Sequence, residues 1–334
     1  MKSVSVVVTD ASGVGAARRS AAQLAGAVAL EGSLAANLAL VVTELGSNLV
    51  KHARGGEIIV RELAFGGARG VEVLALDRGP GMADVARCLR DGHSTAGTRG
   101  AGLGAVTRLA SRFEVHSELG RGTAIAAQLW PPAASATPAS GVELGAVCVA
   151  QLGETVCGDA WAVEARPGRS RFLVADGLGH GPHAAEASDA AVAIFRQNPW
   201  AELVELLMAC HAGLGATRGA ALAVAELDLA HGRVDYVGVG NIAGFVASPE
   251  GRHGLTSHNG IVGQQLHKVQ AFGLPWPPGG LLVMHSDGLT TRVNVAGYAG
   301  AFAKHPSLLA GLFYRDFGRG RDDATVLVAR EASS

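Results

Sequence analysis

Residues 171–181 read RFLVADGLGHG: an apolar run, then Asp176, then three glycines within five residues. An unbroken apolar run of this length suits a buried strand, so Asp176 is delivered to the edge of a buried sheet. A charge there is costly unless it is paired or bound to a metal. The arrangement recurs far away in the sequence, in GDAW (158–161, Asp159), VMHSDG (283–288, Asp287) and RDDATVLV (321–328, Asp322 and Asp323). A single strand-end aspartate is ordinarily a turn former or a helix cap. The set is hard to explain that way, and one shared ion site compensates all of its members. Paired divalent cations held by such carboxylates can ionise a water and clamp a phosphate. Oxygen ligands favour Mg²⁺ or Mn²⁺ over zinc.

Outward from this run, strands are predicted over 144–151, 160–164, 219–228, 233–238, 244–248, 281–285 and 324–330. Helices are predicted over 183–197 and 201–211. Many strands around two helices suggest two packed sheets flanked by helices. His180, His183, His258 and His285 form no His-x₃-His pair, and His180, beside the phosphate, is the one placed to matter. Cys157 neighbours Asp159 but lacks the His/Asn arrangement of a thiol nucleophile. The VGVGNI stretch (237–242) reads either as a close backbone approach or as a structural turn.

The first half carries different chemistry. A strand is predicted over 4–8, a helix over 14–30, and a second helix from an N-cap at Ser33 to about residue 53. On it Leu34, Leu38, Val41, Leu45 and Leu49 form an apolar stripe, and Glu44, Asn48 and His52 a polar one on the adjacent face. Strands over 57–63, 71–76, 112–117 and 123–129 complete an α+β unit. An ATP pocket needs a Mg²⁺ ligand, a partner for the adenine amine and backbone amides for phosphates. Asn48 suits the ion, and Glu44, one turn earlier, suits a general base toward a hydroxyl. Asp77 ends a strand, and the RGPGM turn after it lets backbone approach a flat ring. Gly100, Gly102 and Gly104 open a helix whose free N–H groups favour phosphate. Alone, each piece is a solvated helix face, a turn or a weak glycine pattern. Their order and spacing together favour a nucleotide site.

The chain has 334 residues, enough for two cores, and its net charge of −1 argues against a nucleic-acid or anionic-membrane partner. Aromatics are only 5% while Ala and Gly are abundant, which predicts closely packed elements and many glycine turns. Cys88, Cys148, Cys157 and Cys210 are scattered, with no CxxC pair and no secretory leader, so free thiols in a reducing cytoplasm are expected. No uninterrupted apolar span of bilayer length is expected. The Pro/Ala/Ser stretch at 132–140 reads as a linker between domains at 1–131 and 141–334.

ELGSNLVKHA (44–53), DRGPGM (77–82) and HSTAGTRGAGLGAVTRLA (93–110), followed by GRGT (120–123), resemble the N, G1 and G2 boxes of GHKL ATPases. The nearest likeness is to bacterial anti-sigma and switch serine kinases of the RsbT and RsbW type, over nearly all of residues 1–130. The resemblance implies a Bergerat α/β sandwich with adenine on Asp77, Mg²⁺ on Asn48 and a catalytic role for Glu44. It also implies phosphates on the Gly100–Gly104 loop, Thr123 beside the adenine, and Gly79, Gly81 and Leu103 in the nucleotide pocket. No phosphoacceptor-histidine hairpin precedes the N box, which argues against a sensor histidine kinase; His52 fits the NxxKH pattern and reads as structural. Arg78 stands where many relatives carry Asn, and a typical turn faces it away from adenine.

CGDAW, ADGLGHGPHAAEAS (175–188), VGVGNI, HNGIVG (258–263) and SDGLTTR (286–292) with DDATVLV (322–328) resemble the PPM (type 2C) serine/threonine phosphatases of the SpoIIE and RsbX branch. That resemblance covers most of residues 141–330 and implies an αββα sandwich. It implies two Mn²⁺ or Mg²⁺ ions bridged by Asp176 and a water, and attack on phosphorus with no phosphoenzyme. Asp159 and the Gly177 carbonyl serve one ion in that scheme, and Asp287 and Asp322 the other. Spacing favours Asp322 over Asp323 as the direct ligand.

The combination predicts a cytoplasmic partner-switching regulator. Its first domain would phosphorylate Ser or Thr on a STAS-type antagonist and its second would remove phosphate from the same or a related protein. A sigma factor or downstream switch protein, and a homodimer, are further expected partners. In a second reading the first domain is an ATP-dependent binding or sensor module that regulates the phosphatase.

Overall fold

Asp10 starts the first helix. Its carboxylate accepts hydrogen bonds from Ser12 N at 2.8 Å and Gly13 N at 3.1 Å, two of the donors that a helix start leaves free. Strand β1 (Ser3–Val8) therefore runs almost directly into α1 (Ala11–Ala27), three residues earlier than the apolar pattern predicts. The computed structural model describes residues 3–30, 32–65, 68–89, 102–131 and 140–332, so nearly all of the expected linker lies outside the described residues. The chain divides into two compact units, Ser3–Ala136 and Thr137–Ser334.

In the first unit α2 (Gly32–Asn48) begins ahead of Ser33, which lies inside its first turn and is not its cap. Leu38, Val41, Val42 and Leu45 are buried along it, as the stripe requires. The helix then widens to a π turn over Leu49–Ala53 and stops where Arg54 adopts φ 62°. By length and composition, Gly32–Ala53 is one helix apolar enough to cross a bilayer, contrary to expectation. A core helix has the same composition, and this one belongs to the buried cluster formed with α1 and the sheet.

Next come β2 (Gly56–Phe65), β3 (Ala68–Leu76), the short α3 (Val85–Cys88), α4 (Gly102–Leu109), β4 (Arg112–Glu118) and β5 (Gly122–Leu129). The sheet is antiparallel throughout, in the order β1-β2-β3-β5-β4. Ile58 and Val60, Val71, Val73 and Ala75, and Ile125, Ala127 and Leu129 point to the helices at every second position. α1 meets them with Ala17, Ala21 and Ala25, small side chains that let the layers close.

The second unit holds β6 (Val142–Val149), β7 (Asp159–Arg166), β8 (Arg169–Gly177), α5 (Pro182–Gln197), α6 (Leu203–Gly213), β9 (Ala220–Asp228) and β10 (Arg233–Val239). It continues through β11 (Ala243–Ser248), β12 (Gly251–Leu255), β13 (Gly260–Ile261), β14 (Gln265–Leu266), β15 (Phe272–Pro275), β16 (Leu281–His285), α7 (Pro306–Phe317) and β17 (Ala324–Glu331). Two five-stranded antiparallel sheets form, ordered β15-β10-β9-β8-β7 and β12-β11-β16-β17-β6. Strand β8 shows how the layers are specified. Phe172 and Val174 enter the core between the sheets, whereas Leu173 and Ala175 pack with Ala187, Ala191 and Phe195 of α5. Helices α5 and α6 cover one sheet and α7 lies on β6 and β17 of the other, which gives the αββα order expected.

The sequence reading missed α7, β12 and β15. α7 is buried nearly all round, so no polar face marks its period. Its signals are local: Pro306 occupies the first turn and His305 Nδ1 accepts from Ser307 N at 3.2 Å.

Candidate functional site

In the first unit the polar stripe faces a cavity of about 530 Å³. Glu44, Asn48 and His52 line it, together with Asp77, Gly81, Gly102, Leu103 and Thr123. Asp77 ends β3, and its Oδ1 accepts from Gly79 N at 2.8 Å and Thr123 N at 3.2 Å. Thr123 Oγ1 lies 2.9 Å from Ser117 Oγ, which accepts from Met82 N at 2.8 Å. This network fixes the Asp77 turn against β4 and β5. The π turn carries the stripe around to His52, so all three predicted polar residues reach one cavity.

Gly79 and Gly104 do not line the cavity, and Gly100 lies outside the described residues. Arg78 is exposed and absent from the lining, as expected. Gly81 of the DRGPG turn also meets a constraint that the sequence reading did not mark. Gly81 has φ 72°, and a Cβ there would stand 2.1 Å from the Glu118 carbonyl oxygen. Its lack of a side chain seats the turn on the β4–β5 hairpin while it lines the cavity.

In the second unit, Asp159 opens β7 and lies directly opposite Asp176 near the end of β8. Asp287 follows β16, and Asp322 and Asp323 precede β17, the neighbouring strand of the other sheet. Ser286 joins the two sheets: its hydroxyl donates to Asp159 Oδ2 at 2.7 Å and accepts from Thr325 N at 3.0 Å. Asn241, from the VGVGNI turn, donates to Asp287 Oδ2 at 2.9 Å. Sequence alone marked neither Ser286 nor Asn241 as part of the site.

Asp323 is buried, with one oxygen accepting from Gln151 N at 2.8 Å and the other from Gly158 N at 2.7 Å. It clamps the loop between β6 and β7. Asp322 is less buried, and among the described residues its Oδ1 accepts from the neighbouring Asp323 N alone, at 2.9 Å, which leaves it the more available carboxylate. Burial first, and then the charges of Asp159, Asp287, Asp322 and Asp323, push the Asp176 carboxyl up to about 9. Burial likewise pushes Asp159 up to about 7, against the opposing Ser286 hydrogen bond. The five carboxylates thus act on one another through space, and their hydrogen-bond donors are hydroxyl, amide and main-chain groups.

That donor set fits hard divalent cations, because uncompensated carboxylate oxygens crowd one sheet end. Among the described residues no three His, Cys, Asp or Glu side chains converge closely enough to hold an ion by themselves. A six-ligand shell here has to draw on main-chain carbonyls or water, as Mg²⁺ sites commonly do.

Two thiols border the cluster, and Cys148 Sγ donates to the Asp159 carbonyl at 3.6 Å. Cys157 is buried 3.8 Å from Cys148 Sγ, whose hydrogen bond, with burial, pushes the Cys157 thiol up. His285 is buried with Nδ1 2.8 Å from the Ser286 carbonyl, and burial pulls its pKa down. His180 pairs with Glu154 at 2.9 Å on the rim.

The model of the histidine kinase-like ATPase domain family matches residues 7–129, and that of the stage II sporulation protein E (SpoIIE) family matches residues 166–331. The serine/threonine-protein kinase RsbT of Bacillus subtilis (strain 168) is 38% identical over 95 residues, 28% of this chain and 71% of that protein. The chain joins an RsbT-family ATPase domain to a SpoIIE-family phosphatase domain. The phosphoserine phosphatase RsbX of the same organism is 28% identical over 139 residues, 41% of this chain and 69% of that protein. One solved chain, from work on the bacterial stressosome as a modular system, is 33% identical with a TM-score of 0.53. It covers 57% of this chain, which in turn covers 99% of it. The structure of RsbX in complex with magnesium, 20% identical with a TM-score of 0.51, covers 56% of this chain and is covered over 94% of its own; it shows a shared fold. The RsbT-type domain therefore contains the Glu44–Asn48–Asp77 cavity, and the SpoIIE-type domain contains the carboxylate cluster.

Proposed function

We propose that this chain is a partner-switching regulator that both adds and removes phosphate on Ser or Thr of STAS-type antagonist proteins. The observation that carries the first activity is the single cavity uniting Glu44, Asn48, Asp77 and Thr123. Asp77 accepts the adenine amine beside Thr123, Asn48 holds Mg²⁺, and Gly102 and Leu103 at the start of α4 present N–H groups to the phosphates. Glu44, one helical turn from Asn48, takes the proton of the attacking hydroxyl. A domain that only bound nucleotide would need Asn48 and Asp77 but no base, so Glu44 in the cavity wall favours transfer over the sensor reading.

The carboxylate cluster carries the second activity. Asp176 and the Gly177 carbonyl, with Asp159, Asp287 and Asp322, hold two Mn²⁺ or Mg²⁺ ions. Bound there, such ions supply an ionised water and neutralise charge on the phosphoryl group. Ser286 orients Asp159, Asn241 orients Asp287, and Asp323 fixes the 151–158 loop around them.

The test uses the full chain, a STAS-domain protein and γ-labelled ATP. Label should enter the STAS protein and leave it when Mn²⁺ is added, and Asn48→Ala and Asp176→Asn should abolish the two steps separately. Transfer that survives Asn48→Ala, or release that continues in EDTA, would overturn the corresponding half.

A further inference from the structure

A guanidinium rests on the loop that follows Asp176. The register of β8 and β9 pairs Gly177 with Ala220, and the next step is made by Leu178 N donating to the Gly219 carbonyl at 3.0 Å. Arg218 follows on from that step, opposite Gly179 of the DGLGHG loop. Its Nη1 lies only 3.1 Å from where a Cβ on Gly179 would stand, so the guanidinium rests on the loop that carries Asp176. Gly179 has φ 92°, and its missing side chain is what leaves this place open.

Arg218 is exposed and forms no ion pair among the described residues, unlike Arg169 and Arg171, which are committed to Glu226. Its backbone is nonetheless anchored on both sides. Thr217 Oγ1 donates to the Leu214 carbonyl at 2.8 Å and accepts from Gly219 N at 3.0 Å, and Gln264 Nε2 donates to the Thr217 carbonyl at 2.7 Å. An arginine with a fixed base and a free head, laid over a catalytic loop, is placed to receive an anion.

We infer that Arg218 binds the phosphoryl oxygens of the phosphoserine or phosphothreonine substrate. The assignment rests on the phosphatase reading above and adds to it the residue that holds the phosphoryl group while the serine or threonine hydroxyl departs. A forked guanidinium can hold two of the phosphoryl oxygens while the third faces the carboxylate centre. It also supplies positive charge to the loop on which His180 pairs with Glu154.

The experiment titrates inorganic phosphate into the Mn²⁺-loaded full chain, followed by ³¹P line broadening, for wild type, Arg218→Ala and Arg218→Lys. Phosphate affinity should fall about tenfold in the alanine variant and less in the lysine variant, with Mn²⁺ affinity unchanged. On p-nitrophenyl phosphate, KM should rise more than kcat falls. Equal phosphate affinity in all three proteins would overturn the assignment, as would a parallel loss of Mn²⁺ affinity, which marks a merely structural arginine. Wild type that binds phosphate through Arg218 yet hydrolyses no monoester would instead sink the phosphatase reading and leave this assignment standing.

Discussion

Asp159 and Asp176 face each other across β7 and β8, two carboxylates at adjacent positions of a buried sheet end. Without a cation this pair destabilises the fold, since each is pushed toward its neutral form by burial and by its neighbours. Asp159→Asn keeps the acceptor for Ser286 and removes one charge. It should raise the thermal midpoint of the metal-free protein by ~2–4 °C, about 1 kcal/mol, while abolishing Mn²⁺-dependent hydrolysis. Thermal unfolding in EDTA beside a p-nitrophenyl phosphate assay checks both, and a lowered metal-free midpoint would contradict the repulsion argument.

Asn241 holds Asp287 through a hydrogen bond of 2.9 Å. Asn241→Ala should weaken Mn²⁺ binding by about tenfold and leave the fold intact, the usual cost of removing a group that orients a ligand. A Mn²⁺ titration of activity reads the shift. Unchanged metal dependence would mean that Asp287 needs no such support.

Within the nucleotide cavity, Glu44 and Asn48 should separate binding from transfer. Glu44→Gln should keep ATP affinity while phosphotransfer falls at least about a hundredfold, the typical contribution of a general base. Asn48→Ala should lose Mg-ATP binding outright. Calorimetry with ATP and label transfer to a STAS protein distinguish the two, and equal transfer by Glu44→Gln and wild type would favour the sensor reading.

Gly177 allows α5 to close on the end of β8. A Cβ there would stand 2.0 Å from the Ala184 carbonyl oxygen, a backbone atom that cannot move aside alone. Gly177→Ala should cost about 3 kcal/mol, at the upper end for overpacking, because helix and strand must part. Urea denaturation measures it; a loss within ~0.5 kcal/mol would show that the contact relaxes freely.

Much of this was legible along the chain. Alternating or continuous apolar runs marked most of the strands, and the strand at Leu281–His285 falls where the pattern placed it. The Leu38–Leu45 stripe and the Glu44–Asn48–His52 stripe define two faces of one helix, and those faces turn to the core and to the cavity. Helix α7 was not legible, because burial on every side erases the period that sequence reading depends on.

By itself the sequence determined which residues are candidates for the chemistry, since an aspartate beside glycine at the end of an apolar run, or Glu, Asn and His four apart, is a local pattern. What each carboxylate touches was decided only by tertiary structure. Ser286 reaches Asp159 across 127 residues, and Asp323 reaches Gly158 across 165. Gly81 answers to Glu118 and Arg218 to Gly179, contacts that exist only once strands have paired. Hydrogen bonds and close approaches act over a few ångströms of space, whatever the separation along the chain, and no local pattern encodes them.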